Sequence, residues 1–228
     1  MLSLAVTTST SVVGVAIGDV QPSGSSAPLV SEPIAEHLTT DRRHAEVITP
    51  LIADVAGRAG VALADLELLV VDIGPGRFTG LRVGLATVKS LAFALSLPVV
   101  GLTSLEILAA GEPGRPLLVS IDARRAEVFQ QVFGAAGEVG QAVVGKPDEL
   151  LATATAADDS ESWTIVGDGA DRYPEVYGLA VRAGCHPSAE TMLSLASPDN
   201  AMPGPSVQPL YLRDPDVQIN IKTRHTQQ

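Results

Sequence analysis

The pattern of apolar and polar positions along the chain predicts an ordered series of strands and helices. Short apolar stretches bounded by turn residues predict strands at residues 3–6, 12–17, 66–73 and 99–101, with a weaker one, interrupted by Pro33, at 29–35. Apolar side chains at three- and four-residue steps predict helices at residues 44–58 and 79–96. Pro50 lies inside the first helix, so either this helix bends there or its regular part begins with Thr49 as the cap.

The second part of the chain repeats the start of this pattern with another strand, polar turn and strand, at residues 117–121, 122–125 and 127–133. Placing Asp122 on Thr7 aligns the two openings. Internal duplication and two unrelated hairpins both fit this pattern. Further along, we expect short helices at 147–154 and 188–196, a strand at 163–166 and a loop at 197–209.

The helix predicted at residues 79–96 is apolar around its whole circumference, which is typical of a helix buried on more than one side. A stripe of residues three or four apart would allow close approach of another helix: Gly80, Gly84, Thr87 and Leu91. The helix is therefore either a central core helix or one that also contacts a partner chain. If it contacts a partner, Gly84→Arg should abolish pairing while the chain still folds.

Composition narrows the class of protein. The chain has 228 residues, 46% of them hydrophobic and 18% charged, with a net charge of −11. Such an acidic chain is a poor ligand for nucleic acid on its own. One cysteine, no signal-peptide pattern and no apolar stretch of about 20 residues together predict a cytoplasmic protein that does not contact a membrane.

Residues with catalytic potential are sparse. No two of the four histidines lie three or four residues apart, and Cys185 has His186 beside it only in sequence, so we expect no metal site and no catalytic residue. The loop at residues 74–80 follows a strand and opens a helix, a setting that can bind an anion. The alternative is a tight glycine turn with Thr79 as the helix cap.

Residues 72–87, which include Gly-Pro-Gly-Arg-Phe-Thr-Gly-Leu-Arg, resemble the Gly-Pro-Gly-Ser-Phe-Thr-Gly-Leu-Arg stretch of the bacterial TsaB family, also called YeaZ. Residues 4–10, 42–46 and 102–106 match further family motifs in the same order, as do 122–128 and 211–213. The resemblance is strong over residues 1–133 and looser beyond them.

The resemblance implies an α/β fold of two duplicated actin-like, ribonuclease-H-like lobes. We expect an N-terminal lobe at residues 1–101 with the partner interface, a C-terminal lobe at 102–216 and a polar tail at 217–228. The implied role is that of a non-catalytic scaffold. It pairs with the catalytic paralogue TsaD, and with the ATPase TsaE, to transfer threonylcarbamoyl to adenosine 37 of tRNAs that read codons starting with A.

The same resemblance implies partner contacts through the two helices, homodimerisation of the isolated chain and contact with tRNA only through the complex. The expected interface residues are His44, Val47, Ile48, Leu51, Phe78, Thr79, Gly80, Arg82, Val83, Gly84, Thr87 and Leu91. A vestigial anion or nucleotide site is expected at Thr7, Thr8, Ser9, Gly74, Gly76 and Arg77.

One departure from the family bears on activity. Many members have Asp in the first turn, where this chain has Thr7, a weak substitute as a magnesium ligand. We therefore expect an inactive paralogue with no tightly bound cofactor, and ATP or ADP, where present, at the interface of the complex. Two alternatives stay open: an independent nucleotide-dependent phosphotransferase or ATPase, and a metallopeptidase.

Overall fold

The computed structural model describes residues 1–22, 32–40, 43–114, 116–134, 139–157, 163–178 and 181–213. The expected strand residues 29–31, Arg42 of one family motif and the polar tail lie outside the described residues. The first part of the chain forms β1 (Leu2–Thr7), β2 (Val12–Asp19), β3 (Ile34–Thr39), α1 (His44–Ala59), β4 (Leu68–Asp72), α2 (Phe78–Leu95), β5 (Pro98–Leu102) and α3 (Ser104–Ala110).

The second part begins with a hairpin and ends with short elements. It forms β6 (Leu117–Arg124), β7 (Glu127–Phe133), β8 (Val143–Gly145), α4 (Pro147–Ala157), β9 (Thr164–Val166), α5 (Asp168–Arg172), α6 (Pro174–Tyr177), β10 (Val181–Arg182), α7 (Ala189–Leu195) and β11 (Met202–Pro203).

The two sheets repeat one topology. The first has the order β11-β5-β4-β1-β2-β3 and the second the order β10-β9-β6-β7-β8. In each sheet the hairpin is antiparallel, and the strand on its other side is parallel to the first hairpin strand: β4 beside β1, and β9 beside β6. The predicted duplication is therefore confirmed at the level of topology, and the fold is the two-lobed actin-like α/β fold.

Alternation along the buried strands of the first sheet places two apolar layers on its two faces. Leu4, Val6 and their neighbours pack under α1 and α2, whereas Ala5 and Leu68 face α3 and α7. The helix α2 is long and apolar enough to cross a membrane by composition alone, but six of its residues are buried within this lobe. One face of α2 thus packs in the core of the first lobe, and the rest of the helix is accessible.

Several local predictions needed correction. The helix α1 begins at His44 with Pro50 inside it, so Thr49 is not its cap, and it ends at Gly60, whose left-handed φ of 66° suits glycine. The helix α2 begins at Phe78 after Arg77, so Thr79 is not its cap either. Strand β11 lies in the predicted loop at residues 197–209, where it pairs with the edge strand β5.

The chain also returns to the first sheet late in the sequence. After the second sheet is complete, α7 packs on β1 and β2, and β11 extends the first sheet. The helix α3 contributes Ile107 to a core cluster of the first sheet and Leu105 to a core cluster of the second, and thus lies between the two sheets. A division into lobes at residue 101 stays a prediction.

Candidate functional site

The turn between β1 and β2, residues 8–11, is covered by the start of α2. Thr8 Oγ1 donates to the carbonyl of Gly80 at 2.8 Å, and the backbone N–H of Arg77 donates to the carbonyl of Ser9 at 2.7 Å. A Cβ built at Gly76 would lie 2.3 Å from Ser9 O, and one at Gly80 would lie 2.1 Å from Thr8 O. Glycine is therefore required at both positions by close backbone approach. We call residues 8–11 the covered turn.

A buried carboxylate lies beneath the covered turn. Asp72, at the end of β4, accepts hydrogen bonds from Thr7 Oγ1 at 2.7 Å, Ser104 Oγ at 2.6 Å and the N–H of Gly74 at 2.8 Å. Burial raises the pKa of Asp72, and these hydrogen bonds partly offset that effect. Thr7, which stands where many family members have Asp, thus donates a hydrogen bond to Asp72 on the neighbouring strand β4.

This network explains two of the motif stretches. In the stretch at residues 102–106, Thr103 caps α3 by accepting from the Glu106 N–H at 3.1 Å, and Ser104 holds Asp72. Sequence reasoning assigned no role to Asp72 or Ser104. The available signal was that both lie within the stretches that resemble the family.

The predicted anion site does not form an open cradle. Thr7, Thr8 and Ser9 have 1% or less of their surface exposed, and Thr7 and Thr8 already donate to protein oxygens. These hydroxyls are closed to solvent while α2 covers the turn, and the anion site stays a prediction at these three residues. Of the remaining members, Gly74 is buried, whereas Gly76 and Arg77 line a cavity described below.

The predicted partner interface divides into buried and accessible residues. His44, Ile48, Gly80 and Gly84 are buried inside the chain, and His44 Nε2 donates to the carbonyl of Thr10 at 2.9 Å. These four do not line the surface, and the glycine stripe instead accommodates the covered turn. The accessible members, whose role stays a prediction, are Val47, Leu51, Phe78, Thr79, Arg82, Val83, Thr87 and Leu91.

The second lobe presents its corresponding turn differently. Arg124 at the end of β6, and Arg125 and Ala126 between β6 and β7, are exposed and have φ values of 64°, 57° and 61°. Non-glycine residues rarely adopt this left-handed conformation. We call residues 124–126 the open turn.

A second acid, which is half-buried, lies beside the open turn. Asp168, at the start of α5, accepts from the backbone N–H of Asp122 at 2.9 Å. Burial raises the pKa of Asp168, an effect opposed by that hydrogen bond and by the charges of Arg77 and Arg124. Each lobe thus places one carboxylate at or just after the end of the parallel strand next to its hairpin, fully buried at Asp72 and half-buried at Asp168.

Between the start of α2 and the open turn lies a cavity of about 540 Å³, which we call the interlobe cleft. Its walls come from the start of α2, the open turn and residues 210–213 near the end of the described chain. It has five arginines in its lining: Arg77, Arg82, Arg124, Arg125 and Arg213. Sequence spacing does not reveal this cleft, because its arginines come from three distant segments.

Groups for metal or thiol chemistry are few in the described ranges. Among these residues no group of three or more His, Cys, Asp or Glu side chains could hold a metal ion. Burial, chiefly, raises the pKa of Cys185 to about 11, with a further contribution from its hydrogen bond to Glu112. A thiol with this pKa is not a nucleophile at neutral pH.

The repeated sheets and the turns between the lobes define the class of protein: a two-lobed actin-like protein. A family model described as TsaD, tRNA N6-adenosine threonylcarbamoyltransferase, matches residues 38–162. The structure of YeaZ from Pseudomonas aeruginosa superposes with a TM-score of 0.76 at 30% identity, over 92% of this chain and 99% of that one.

Relatives by sequence agree. The tRNA threonylcarbamoyladenosine biosynthesis protein TsaB of Escherichia coli is 30% identical, over 76% of this chain and 82% of that protein. An uncharacterized protein of Mycobacterium tuberculosis is 34% identical, over 80% of this chain and 82% of that protein. A longer protein of Mycobacterium leprae is also 34% identical, and the match spans 48% of its length. The chain belongs to the TsaB (YeaZ) family.

Proposed function

We propose that this chain is a non-catalytic subunit for the biosynthesis of threonylcarbamoyladenosine in tRNA. It pairs with a TsaD-type catalytic paralogue, works with a TsaE-type ATPase and meets tRNA within that complex in the cytoplasm. Relatives at about 30% identity, named as biosynthesis proteins of this modification, support the pathway. The finer assignment as a subunit without its own chemistry is argued from the two turns.

The observation that supports a non-catalytic role most directly is the covered turn. In a two-lobed protein that turns over a nucleotide, phosphates and their magnesium ion need donors and carboxylates that they can reach. Here the hydroxyls of Thr7 and Thr8 and the carboxylate of Asp72 are buried and bonded to each other or to backbone groups. We expect the purified chain to show no magnesium-dependent ATP hydrolysis, and sustained turnover would favour the independent-ATPase alternative.

The accessible faces of α1 and α2 are the proposed surface for the paralogue. Val47 and Leu51 on α1, and Val83, Thr87 and Leu91 on α2, are half-buried and lie three or four residues apart along each helix. The two helices also pack against each other, so these side chains form one continuous surface. Homodimerisation of the isolated chain would use this same surface.

Substitution of a threonine tests this surface with a matched control. Thr87 in α2 and Thr153 in α4 each donate to the carbonyl four residues earlier, at 2.9 Å in both cases. We expect Thr87→Arg to prevent copurification with the TsaD-type paralogue and Thr153→Arg to leave it unchanged, with both variants folded by circular dichroism. Copurification of Thr87→Arg at the level of the unsubstituted chain would refute the surface.

A further inference from the structure

The interlobe cleft has a charge opposite to that of the chain as a whole. The chain has 15 Lys and Arg and a net charge of −11, yet five arginines line this one cavity. Asp122 is the single acidic residue among its described lining residues. Low-dielectric walls focus the field of such a cluster, so the local potential can be positive on an acidic protein. The cleft is therefore suited to an anion.

Some of these arginines have protein partners and others retain unused donors. Arg124 pairs with Asp122 at 3.3 Å, and Arg213 pairs with Glu127. The Nε of Arg77 is buried and has no hydrogen-bond partner within the described chain. The guanidinium of Arg82 lies 4.1 Å from the centroid of the Phe78 ring, a contact that uses none of its five N–H donors. Planar guanidinium groups of this kind bind phosphate in a bidentate manner.

Two aromatic rings stand at the same cleft. Phe78 and Tyr211 line it, with 53% and 44% of their surfaces exposed and ring centroids 5.6 Å apart. Exposed rings beside arginines are the surfaces on which unpaired bases of single-stranded RNA stack. An acidic peptide would use the arginines but would not need the ring faces.

We propose that the interlobe cleft binds a nucleotide of a single-stranded RNA segment, with arginines on its phosphates and Phe78 and Tyr211 against its base. A volume of about 540 Å³ falls within the range of small-ligand sites. The open turn, which presents Arg124 and Arg125, keeps three residues in a strained backbone conformation, as is common at binding sites. The choice of RNA over a free nucleotide rests on the proposed function.

The test is fluorescence anisotropy on the full chain, with a labelled, unstructured single-stranded RNA of about eight nucleotides. We expect binding at low ionic strength that weakens as salt is added. Arg77→Gln and Arg82→Gln should each weaken binding about 10-fold, as should Phe78→Ala, which removes a stacking surface. Arg82 and Phe78 are exposed, so their variants should fold.

The control is Arg58→Gln, which removes the same charge from an exposed arginine paired with Glu36 and Asp54 on α1. It should leave affinity within about twofold, because Arg58 does not line the cleft and its charge is already paired with Glu36 and Asp54. The cleft assignment is overturned if this control weakens binding as much as Arg82→Gln, or if no RNA binds.

Two competitor arms identify the occupant. If adenosine monophosphate competes as well as unlabelled RNA does, the occupant is a free nucleotide. If a labelled oligoglutamate peptide binds the cleft and RNA does not, the occupant is an acidic peptide. Either result overturns the proposal. Copurification with the TsaD-type paralogue is measured separately, so RNA binding without pairing refutes only the proposed function, and pairing without RNA binding refutes only this inference.

Discussion

The covered turn and the open turn occupy the same place in two sheets that share the order of five strands, but their surroundings differ. In the first lobe, residues 8–11 are met by Gly76 and Gly80 at distances that admit no side chain. In the second, residues 124–126 extend into the interlobe cleft with two arginines exposed. The two lobes thus share their strand order, and the start of α2 closes the turn of the first lobe while the turn of the second stays accessible.

The acid near each turn also accepts its hydrogen bonds from a different kind of donor. The hydroxyl of Thr7 donates to Asp72 in the first lobe, whereas the backbone of Asp122 donates to Asp168 in the second. Asp72 faces hydroxyl and backbone donors, but Asp168 lies within the field of Arg77 and Arg124. The first acid thus closes a structural network, and the second lies beside a cluster of positive charge.

The largest effect should come from preventing closure of the covered turn. We expect Gly80→Ala to lower the free energy of unfolding by about 3 kcal/mol or more, because its Cβ would lie 2.1 Å from a backbone oxygen that cannot move aside alone. Gly57→Ala in α1 is the control, since a Cβ there meets nothing within 4 Å and alanine favours the helix. Denaturant unfolding measures both, and equal stability of the two variants would contradict close packing at the turn.

The same packing changes the expectation for Gly84→Arg. A Cβ at Gly84 would lie 2.3 Å from Thr8 Oγ1, which is bonded to Gly80. This substitution should therefore unfold the first lobe rather than report on partner contacts. Thr87→Arg is the appropriate probe of the surface.

A smaller effect should follow from removal of the acid beneath the covered turn. Asp72→Ala should cost about 2–3 kcal/mol, because three donors lose their acceptor, whereas Asp72→Asn keeps an acceptor and a matching shape. Since the folded pKa lies above its ordinary value of 3.8, the folded chain retains this proton to higher pH than the unfolded chain does.

The sign of the pH dependence follows. The Asp72 contribution to stability falls as pH rises from 3.8 through the raised folded pKa. Unfolding at mildly acidic and at neutral pH should therefore show Asp72→Asn gaining stability relative to the unsubstituted chain as pH rises. A gain in the opposite direction would mean that the carboxylate is stabilised as an anion.

Much of this fold is visible in sequence, because periodicity locates buried strands and helices well. Residues 127–133 form β7 as predicted, and the helix at 44–58 is found as α1 with one further residue. Short elements such as β10 and β11 escaped prediction, since two residues show no period and pair only because tertiary contacts bring them to a sheet edge.

The site was harder to predict for a physical reason. The glycines at 76 and 80 signal close approach, but the sequence does not say whether they approach an anion or another part of the chain, and here the neighbour is the covered turn. Arg77 and Arg213 come together only through the packing of two lobes. Net charge, which averages over the whole chain, conceals such a cluster.

The smallest effect should appear in the open turn itself. Ala126 is exposed with a φ of 61°, so Ala126→Gly should stabilise the chain by about 1 kcal/mol by removing left-handed strain. The control is the same substitution at Ala53, an exposed position inside α1, where glycine should cost about 1 kcal/mol. Opposite signs in denaturant unfolding would confirm that the open turn stores strain, whereas a loss of stability at both positions would show that residue 126 is relaxed in solution. If Ala126→Gly also weakens RNA binding without touching an arginine, that strain orients Arg124 and Arg125 toward the cleft.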